Sequence, residues 1–145
     1  TLSDPFVVER HRDDLLAFAG PILGCSFFED AQAIGVERDG EIVAAVIYEG
    51  FTRWDCRIHV ASDGSRRWLS RSFLVRVFAY PFLQCGLRRV TALVEEGNRA
   101  ALKLDLGIGF QVEGRLKDAT PEGDMIVLGM TRARCPWIPK EARHG

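Results

Sequence analysis

Phe78-Ala79-Tyr80-Pro81-Phe82, Gly86-Leu87-Arg88-Arg89-Val90-Thr91-Ala92, Asn98-Arg99-Ala100-Ala101 and Gly109-Phe110-Gln111-Val112-Glu113-Gly114 decide the fold by their order. Ser70 is placed to cap a helix in which Leu74, Phe78, Phe82 and Cys85 share one stripe. Pro81 removes a backbone donor and should bend or tighten its last turn, and Gly86 ends it. Residues 89–94 alternate as a strand. Asn98 then caps a second helix, with Ala101, Leu102 and Leu106 inward and Gly107 and Gly109 closing it. Residues 110–113 and 125–130 make a last pair of strands, bridged by the polar turn 118–124.

Working toward the N-terminus, residues 57–61 read as a strand, with Ile58 and Val60 on one side and His59 on the other. Two apolar, β-branched runs, 33–37 and 42–48, flank Arg38-Asp39-Gly40-Glu41, and Asp-Gly supplies the positive φ angles of a tight hairpin. Asp13 and Asp14 open an amphipathic helix carrying Leu15, Leu16, Phe18 and Ala19, with acids at its positive end. Pro21 and Gly24 should break it. Phe6-Val7-Val8-Glu9 reads as a first short strand. The order is β-α-β-β-β-α-β-α-β-β, an α/β sheet of mixed strand direction.

With 145 residues the chain is the size of one ordinary domain, and we read 1–145 as a single domain with a C-terminal tail at 135–145. Lys and Arg number 19 against 20 Asp and Glu, which excludes a global basic field for nucleic acid. Cys25, Cys56, Cys85 and Cys135 form no close pair, so free, mostly buried thiols are expected. The histidines His11, His59 and His144 lack ligand spacing, and no metal is expected. No apolar run approaches the roughly 20 residues of a spanning helix. With no signal-peptide pattern either, the expectation is a soluble cytoplasmic protein without membrane partners.

From Ile34 to Met130, some two thirds of the chain, this order and spacing resemble the GNAT N-acetyltransferase superfamily, in its branch of ribosomal-protein and related amine acetyltransferases. In that branch a helix ending in Tyr-Ala-Phe leads through Gly-Leu to a strand, then to an Asn-capped helix and a Gly-Phe pair followed by Glu-Gly. Asn98 lies 16 residues after Phe82 and Phe110 lies 12 after Asn98, as in the family. The resemblance implies the GNAT acyl-CoA N-acyltransferase fold, a mixed, mostly antiparallel central sheet flanked by helices. It implies transfer of an acetyl group from acetyl-CoA directly to a primary amine of a small molecule or a protein. One departure stands out. The family's pyrophosphate loop, Q/R-x-x-G-x-G/A, falls on Asp63-Gly64-Ser65-Arg66-Arg67-Trp68, where the first position is acidic and neither glycine is in place. Similar Trp-containing loops occur in GNAT-like proteins, some of them phage-borne.

The resemblance assigns the cofactor side to Val60 and Ala61, to Arg66, Arg67, Trp68, Leu69, Ser70 and Arg71 at the loop and helix start, and to Asn98 with Ala101. Arginine forks bind phosphate oxygens well, so Arg66, Arg67 and Arg71 are expected to replace the missing glycine amides. A backbone N–H near Val60 would stabilise the oxyanion. An ammonium has no lone pair, so a base is required. His59 is the first candidate, with Glu49 and Asp55 as water-relaying alternatives. Many family members carry a tyrosine seven residues after the Asn to reprotonate the CoA thiolate; that position is Asp105 here, read as a solvated helix residue, with Tyr80 as the spare phenol. The altered loop and the absent tyrosine also suit a CoA-binding or protein-interaction module with little catalysis. Homodimerisation is common in the superfamily, and the tail after Arg134 is the segment that would serve it. Arg88-Arg89 and Arg132-Ala133-Arg134 read as solvated edges rather than a nucleic-acid face. The acceptor amine is not encoded in any recognisable stretch.

Overall fold

The computed structural model describes Val7–Val8 and residues 12–144; Phe6, Glu9 and His11 lie outside the described residues. In chain order the elements are β1 (Val7–Val8), α1 (Arg12–Leu23), β2 (Gln32–Arg38), β3 (Glu41–Glu49), β4 (Arg57–Ser62), α2 (Arg71–Ala79), β5 (Arg89–Glu95), α3 (Arg99–Ile108), β6 (Gln111–Thr120) and β7 (Gly123–Thr131). This is the order read from the sequence. The strands form one sheet in the order β1-β2-β3-β4-β5-β7-β6. All neighbours are antiparallel except β4 and β5, which are parallel and pair at Arg57↔Thr91 alone.

The alternation of β3 divides the core in two. Ala45 and Ile47 face α1 and bury against Leu15, Ala19, Ala31 and Ala61. Ala44, Val46 and Tyr48 face the opposite side, where Phe73, Leu74, Val77 and Phe78 of α2 complete the larger cluster, with Ala101, Leu104 and Ile108 of α3 joining it. Gly35 permits the close approach of α1: a Cβ there would stand 2.5 Å from Leu15. The β2–β3 hairpin turns on Asp39 and Gly40, at φ 53° and 80°, as the Asp-Gly pair requires.

Pro81 does not tighten the end of α2. The helix widens instead into a π-helical turn, Tyr80–Gln84, closed by Cys85 N–H donating to the Tyr80 carbonyl at 2.9 Å. Proline at 81 cannot donate to the carbonyl of Val77, four residues back. The Tyr48 hydroxyl takes that role, donating to Val77 O at 2.6 Å inside the core. The extra residue in the turn rotates Cys85 off the apolar stripe and into solvent, and Leu87 is buried in its place. The thiols are free; Cys56 and Cys135 are buried, Cys25 and Cys85 exposed, so burial is less general than expected.

Three other expectations need correction. Pro21 lies inside α1 without breaking it. It and Ala17, whose carbonyl loses an amide partner, are both exposed, so water can serve that carbonyl; Gly24, at φ 68°, ends the helix. Leu106 is 49% exposed, and Ala101, Leu104 and Ile108 supply the inward face of α3. The turn expected over 118–124 is mostly strand, because the Asp124 carboxylate accepts from Asp118 N–H at 3.0 Å and from Arg115 at 3.1 Å, letting β6 and β7 pair out to Thr120↔Gly123. Residues after β7 pack on the core: Cys135 and Ile138 are buried, and Trp137 donates from Nε1 to Ile108 O at 2.9 Å.

Candidate active site

The splay of β4 from β5 creates the site. The two strands are joined at their N-terminal ends, where Thr91 N–H donates to Cys56 O at 2.9 Å, and then diverge. In the β3–β4 ladder Asp63 N–H donates to Val43 O, so odd-numbered residues of β4 bond to β3. The even-numbered residues Ile58, Val60 and Ser62 therefore turn their backbone groups toward β5, into the gap it has vacated. A cavity of about 520 Å³ fills this gap. Ile58, His59 and Val60 line it from β4, residues 92–95 from β5, Trp68, Leu74, Val77 and Phe78 from the loop and α2, and Asn98, Ala101, Leu104, Asp105 and Ile108 from α3. The end of α1, from Ile22 to Cys25, reaches it from the other face of the sheet.

His59 and Glu49 are brought together. Both project toward the α1 side, and His59 Nε2 stands 2.6 Å from Glu49 Oε2. Glu49 is 6% exposed, and its other oxygen accepts from Phe28 N–H at 2.7 Å. A carboxylate so placed accepts only, which assigns the imidazole proton to Nε2 and leaves the Nδ1 lone pair free to take a proton. The loop that holds this arrangement is fastened by Asp30, which accepts from Gly50 and Phe51 N–H at 3.0 and 2.8 Å. Phe27 lies against the imidazole, with ring centroids 6.0 Å apart. Asp55 serves otherwise: it accepts from the Thr91 hydroxyl at 2.9 Å and neighbours Arg89.

The loop after β4 is built around Asp63. Its carboxylate accepts from Ser65 N–H at 2.9 Å, from the Ser65 hydroxyl at 2.6 Å and from Arg67 at 3.1 Å. The Ser65 bonds and the Arg67 guanidinium hold its pKa below the ordinary carboxylate value. Trp68 anchors the loop from beneath, 4% exposed, with Nε1 donating to Ser65 O at 2.9 Å and its ring edge-on to Phe73. Ser70 caps α2 by accepting from Phe73 N–H at 3.1 Å, and Asn98 caps α3 by accepting from Ala101 N–H at 3.2 Å. Arg66 is exposed beside the loop. Arg71 lies over the Trp137 ring at 5.7 Å.

Of the expected residues, His59, Val60, Trp68, Asn98 and Ala101 line the cavity, and Glu49 joins it through His59. Ala61, Arg66, Arg67, Leu69, Ser70 and Arg71 do not line it, although the loop that bears most of them leaves directly from β4. Tyr80 is not brought to it. That ring packs on Tyr48 at 4.9 Å and on Phe51, and burial, with a smaller contribution from Cys85, pushes its hydroxyl up to about 12. Asp105 reverses its expected reading, for it lines the cavity and burial raises its carboxyl to about 6. The signal was present in its spacing, since residues 98, 101, 105 and 108 fall on one helical face. Trp54 was also missed: the guanidinium groups of Arg88 and Arg53 lie over its ring, 4.0 and 4.9 Å from the centroid. Among the described residues no three His, Cys, Asp or Glu converge as metal ligands, and no helix is long and apolar enough to cross a membrane.

No protein-family model matches the sequence, and no curated protein matches it. Solved structures do match the fold. A variant of spermidine N-acetyltransferase SpeG from Vibrio cholerae superposes with a TM-score of 0.74 at 14% identity, over 93% of this chain and 96% of that one. N-acetyltransferase PseH from Campylobacter jejuni, in complex with acetyl coenzyme A, gives 0.56 at 16% identity over 72% and 70%. Ribosomal-protein-S5-alanine acetyltransferase from Vibrio fischeri gives 0.62 at 20% identity over 75% and 64%. The fold of this chain is that of the GNAT acetyltransferases.

Proposed function

We propose that this chain is an acetyl-CoA-dependent N-acetyltransferase that moves the acetyl group directly to a primary amine, without a covalent enzyme intermediate. The observation that carries the reading is the pairing of buried Glu49 with half-buried His59 beside a gap into which the Val60 backbone points. The pantetheine arm would add along β4 as a strand does, bonding to the even-numbered backbone groups that β5 leaves unpaired. Val60 N–H would then serve as donor to the thioester oxygen as charge develops on it. His59 Nδ1 takes the proton of the amine, and Glu49 positions the ring and stabilises the imidazolium. The cavity walls contribute Glu95 and Asp105 and no lysine or arginine, which suits a cationic acceptor. Arg66 is the exposed guanidinium for the CoA phosphates, and Arg67 would join it on leaving Asp63.

One feature favours a second reading. Asp63 already holds Arg67 and sits where phosphate would approach, which suits a CoA-binding or protein-interaction module with little catalysis. Release of free CoA thiol from acetyl-CoA, measured across a panel of polyamines, amino sugars and peptide N-termini, separates the two. Amine-dependent release that His59→Gln reduces at least about 100-fold, with CoA affinity retained, supports the enzyme. Saturable CoA binding without release for any amine supports the module.

A further inference from the structure

One end of the sheet carries positive charge that the proposed transfer does not use. β4 and β5 begin there and β7 ends there, about 20 Å along β4 from the Asp63 loop. Basic positions scattered in the sequence meet at this end: Arg53 in the β3–β4 turn, Arg57 at the start of β4, Arg88 before β5 and Arg134 after β7. All four are exposed, and among the described residues none of their guanidinium groups has an ion pair or a hydrogen bond. The acids at this end, Asp55 and Glu113, both serve Arg89. Trp54 is 45% exposed, with the Arg88 and Arg53 guanidinium groups over its ring at 4.0 and 4.9 Å. Its exposure is built in. The Thr52 hydroxyl accepts from Trp54 and Asp55 N–H, both at 3.1 Å, and Trp54 O accepts from Arg88 and Arg89 N–H at 2.9 and 3.2 Å. A fastened turn thus holds a large aromatic at the surface and gathers two like charges over it. What the arrangement lacks is an anion.

The side chains present select which anion. A guanidinium over an indole offers a flat face on which a base can stack and in-plane N–H groups that fit phosphate oxygens. An acidic peptide would use the charge and leave the stacking face idle. A duplex needs a helix or a two-stranded ribbon to enter its groove, and this end presents a tight turn, strand ends and a single 3-10 turn. We propose that Trp54 with Arg53, Arg57, Arg88 and Arg134 forms a binding surface for single-stranded nucleic acid. A base stacks on the Trp54–Arg88 platform, and the flanking arginines take the phosphates on either side. Arg57 and His59 stand on the same face of β4, two residues apart, so the bound strand would pass the acceptor side of the cavity. The inference stands on this surface alone and does not depend on acetyl transfer.

The test is a fluorescence anisotropy titration of a labelled, mixed-sequence single-stranded RNA of about 12 nucleotides, repeated across salt concentrations. The proposal expects saturable binding whose logarithm falls against the logarithm of salt with a slope of about −3, from four arginines at about 0.7 each. Trp54→Ala should weaken it by about 10-fold or more. Arg53→Ala with Arg88→Ala should weaken it and flatten the slope by about 1, while Arg66→Ala with Arg67→Ala leaves it unchanged. If Trp54→Ala does not fold, Trp54→Leu carries the same expectation, since it keeps apolar bulk and loses the indole face. No binding at about 50 mM salt overturns the proposal. So does binding that survives both patch variants, or that is lost only in the Arg66 and Arg67 variant, which would assign it to the cofactor loop. Equal or tighter binding of poly-glutamate, or of phosphatidylserine vesicles, also overturns it and would make the surface one for an acidic protein or a membrane.

Discussion

Replacing Tyr48 by Phe removes one oxygen from the core and leaves one carbonyl stranded. Val77 O lost its helical partner to Pro81 and accepts from the Tyr48 hydroxyl at 2.6 Å instead. Tyr48 is fully buried, so water cannot take over without opening the core. The cost of an unsatisfied buried acceptor is about 1–3 kcal/mol, against about 1 kcal/mol for the net loss of an ordinary hydrogen bond. We expect Tyr48→Phe to destabilise the protein by about 2 kcal/mol, a value at which the two cases can be told apart. Pro81→Ala supplies the missing amide and lets the turn close as α-helix, so in that background the same substitution should cost about 1 kcal/mol or less. The coupling is then about 1 kcal/mol or more, read as a double-mutant cycle in urea unfolding with m-values unchanged. A Tyr48→Phe cost below about 0.5 kcal/mol, or an equal cost in both backgrounds, would refute the claim that the tyrosine answers for the proline.

Three further outcomes are expected. Glu49→Gln keeps the size of the side chain but removes its charge, and should lower kcat by about 10-fold or more, with His59→Ala lowering it further and CoA affinity held in both. Arg66→Ala with Arg67→Ala should weaken acetyl-CoA binding by about 10-fold and flatten its dependence on salt, whereas an unaffected titration would remove the loop from the phosphate site. The raised Asp105 carboxyl stabilises the fold only while protonated: that contribution is complete below the unfolded value near 3.8 and is lost as pH rises through about 6. A rise of about two units corresponds to at most about 3 kcal/mol, reduced by residual water contact. Asp105→Asn should therefore gain stability over the unaltered protein between about pH 4 and 7 in denaturant titrations, and parallel curves would contradict the burial argument.

Most of the architecture was legible because it depends on local rules. Ser70 and Asn98 were readable as caps, Asp39-Gly40 as a turn, and the facing of His59 followed from strand alternation. The errors share a cause, which is that surroundings beyond the local sequence, solvent or a tertiary partner, rescue what a local rule forbids. Solvent around Ala17 makes Pro21 tolerable within α1. Tyr48, 29 residues from Val77 in sequence, makes the π turn after Val77 tolerable. Asp124 turns an expected loop into strand by reaching across to Asp118. At the site, Glu49 and His59 were each named, but their union needed the β3–β4 register, which places Glu49 opposite Arg57 and Ile47 opposite His59. Asp105 was misread because exposure was assumed from its charge, although its position on the face of Ala101 and Ile108 already placed it inward.

The central claim is that the gap between β4 and β5 receives acetyl-CoA, and calorimetric titration of acetyl-CoA into the protein tests it most directly, beside an Ala101→Trp variant that fills the cavity from α3. The account predicts saturable one-to-one binding that is abolished in the variant while its thermal melt remains cooperative. No binding by the unaltered protein, or binding that survives Ala101→Trp undiminished, would contradict it.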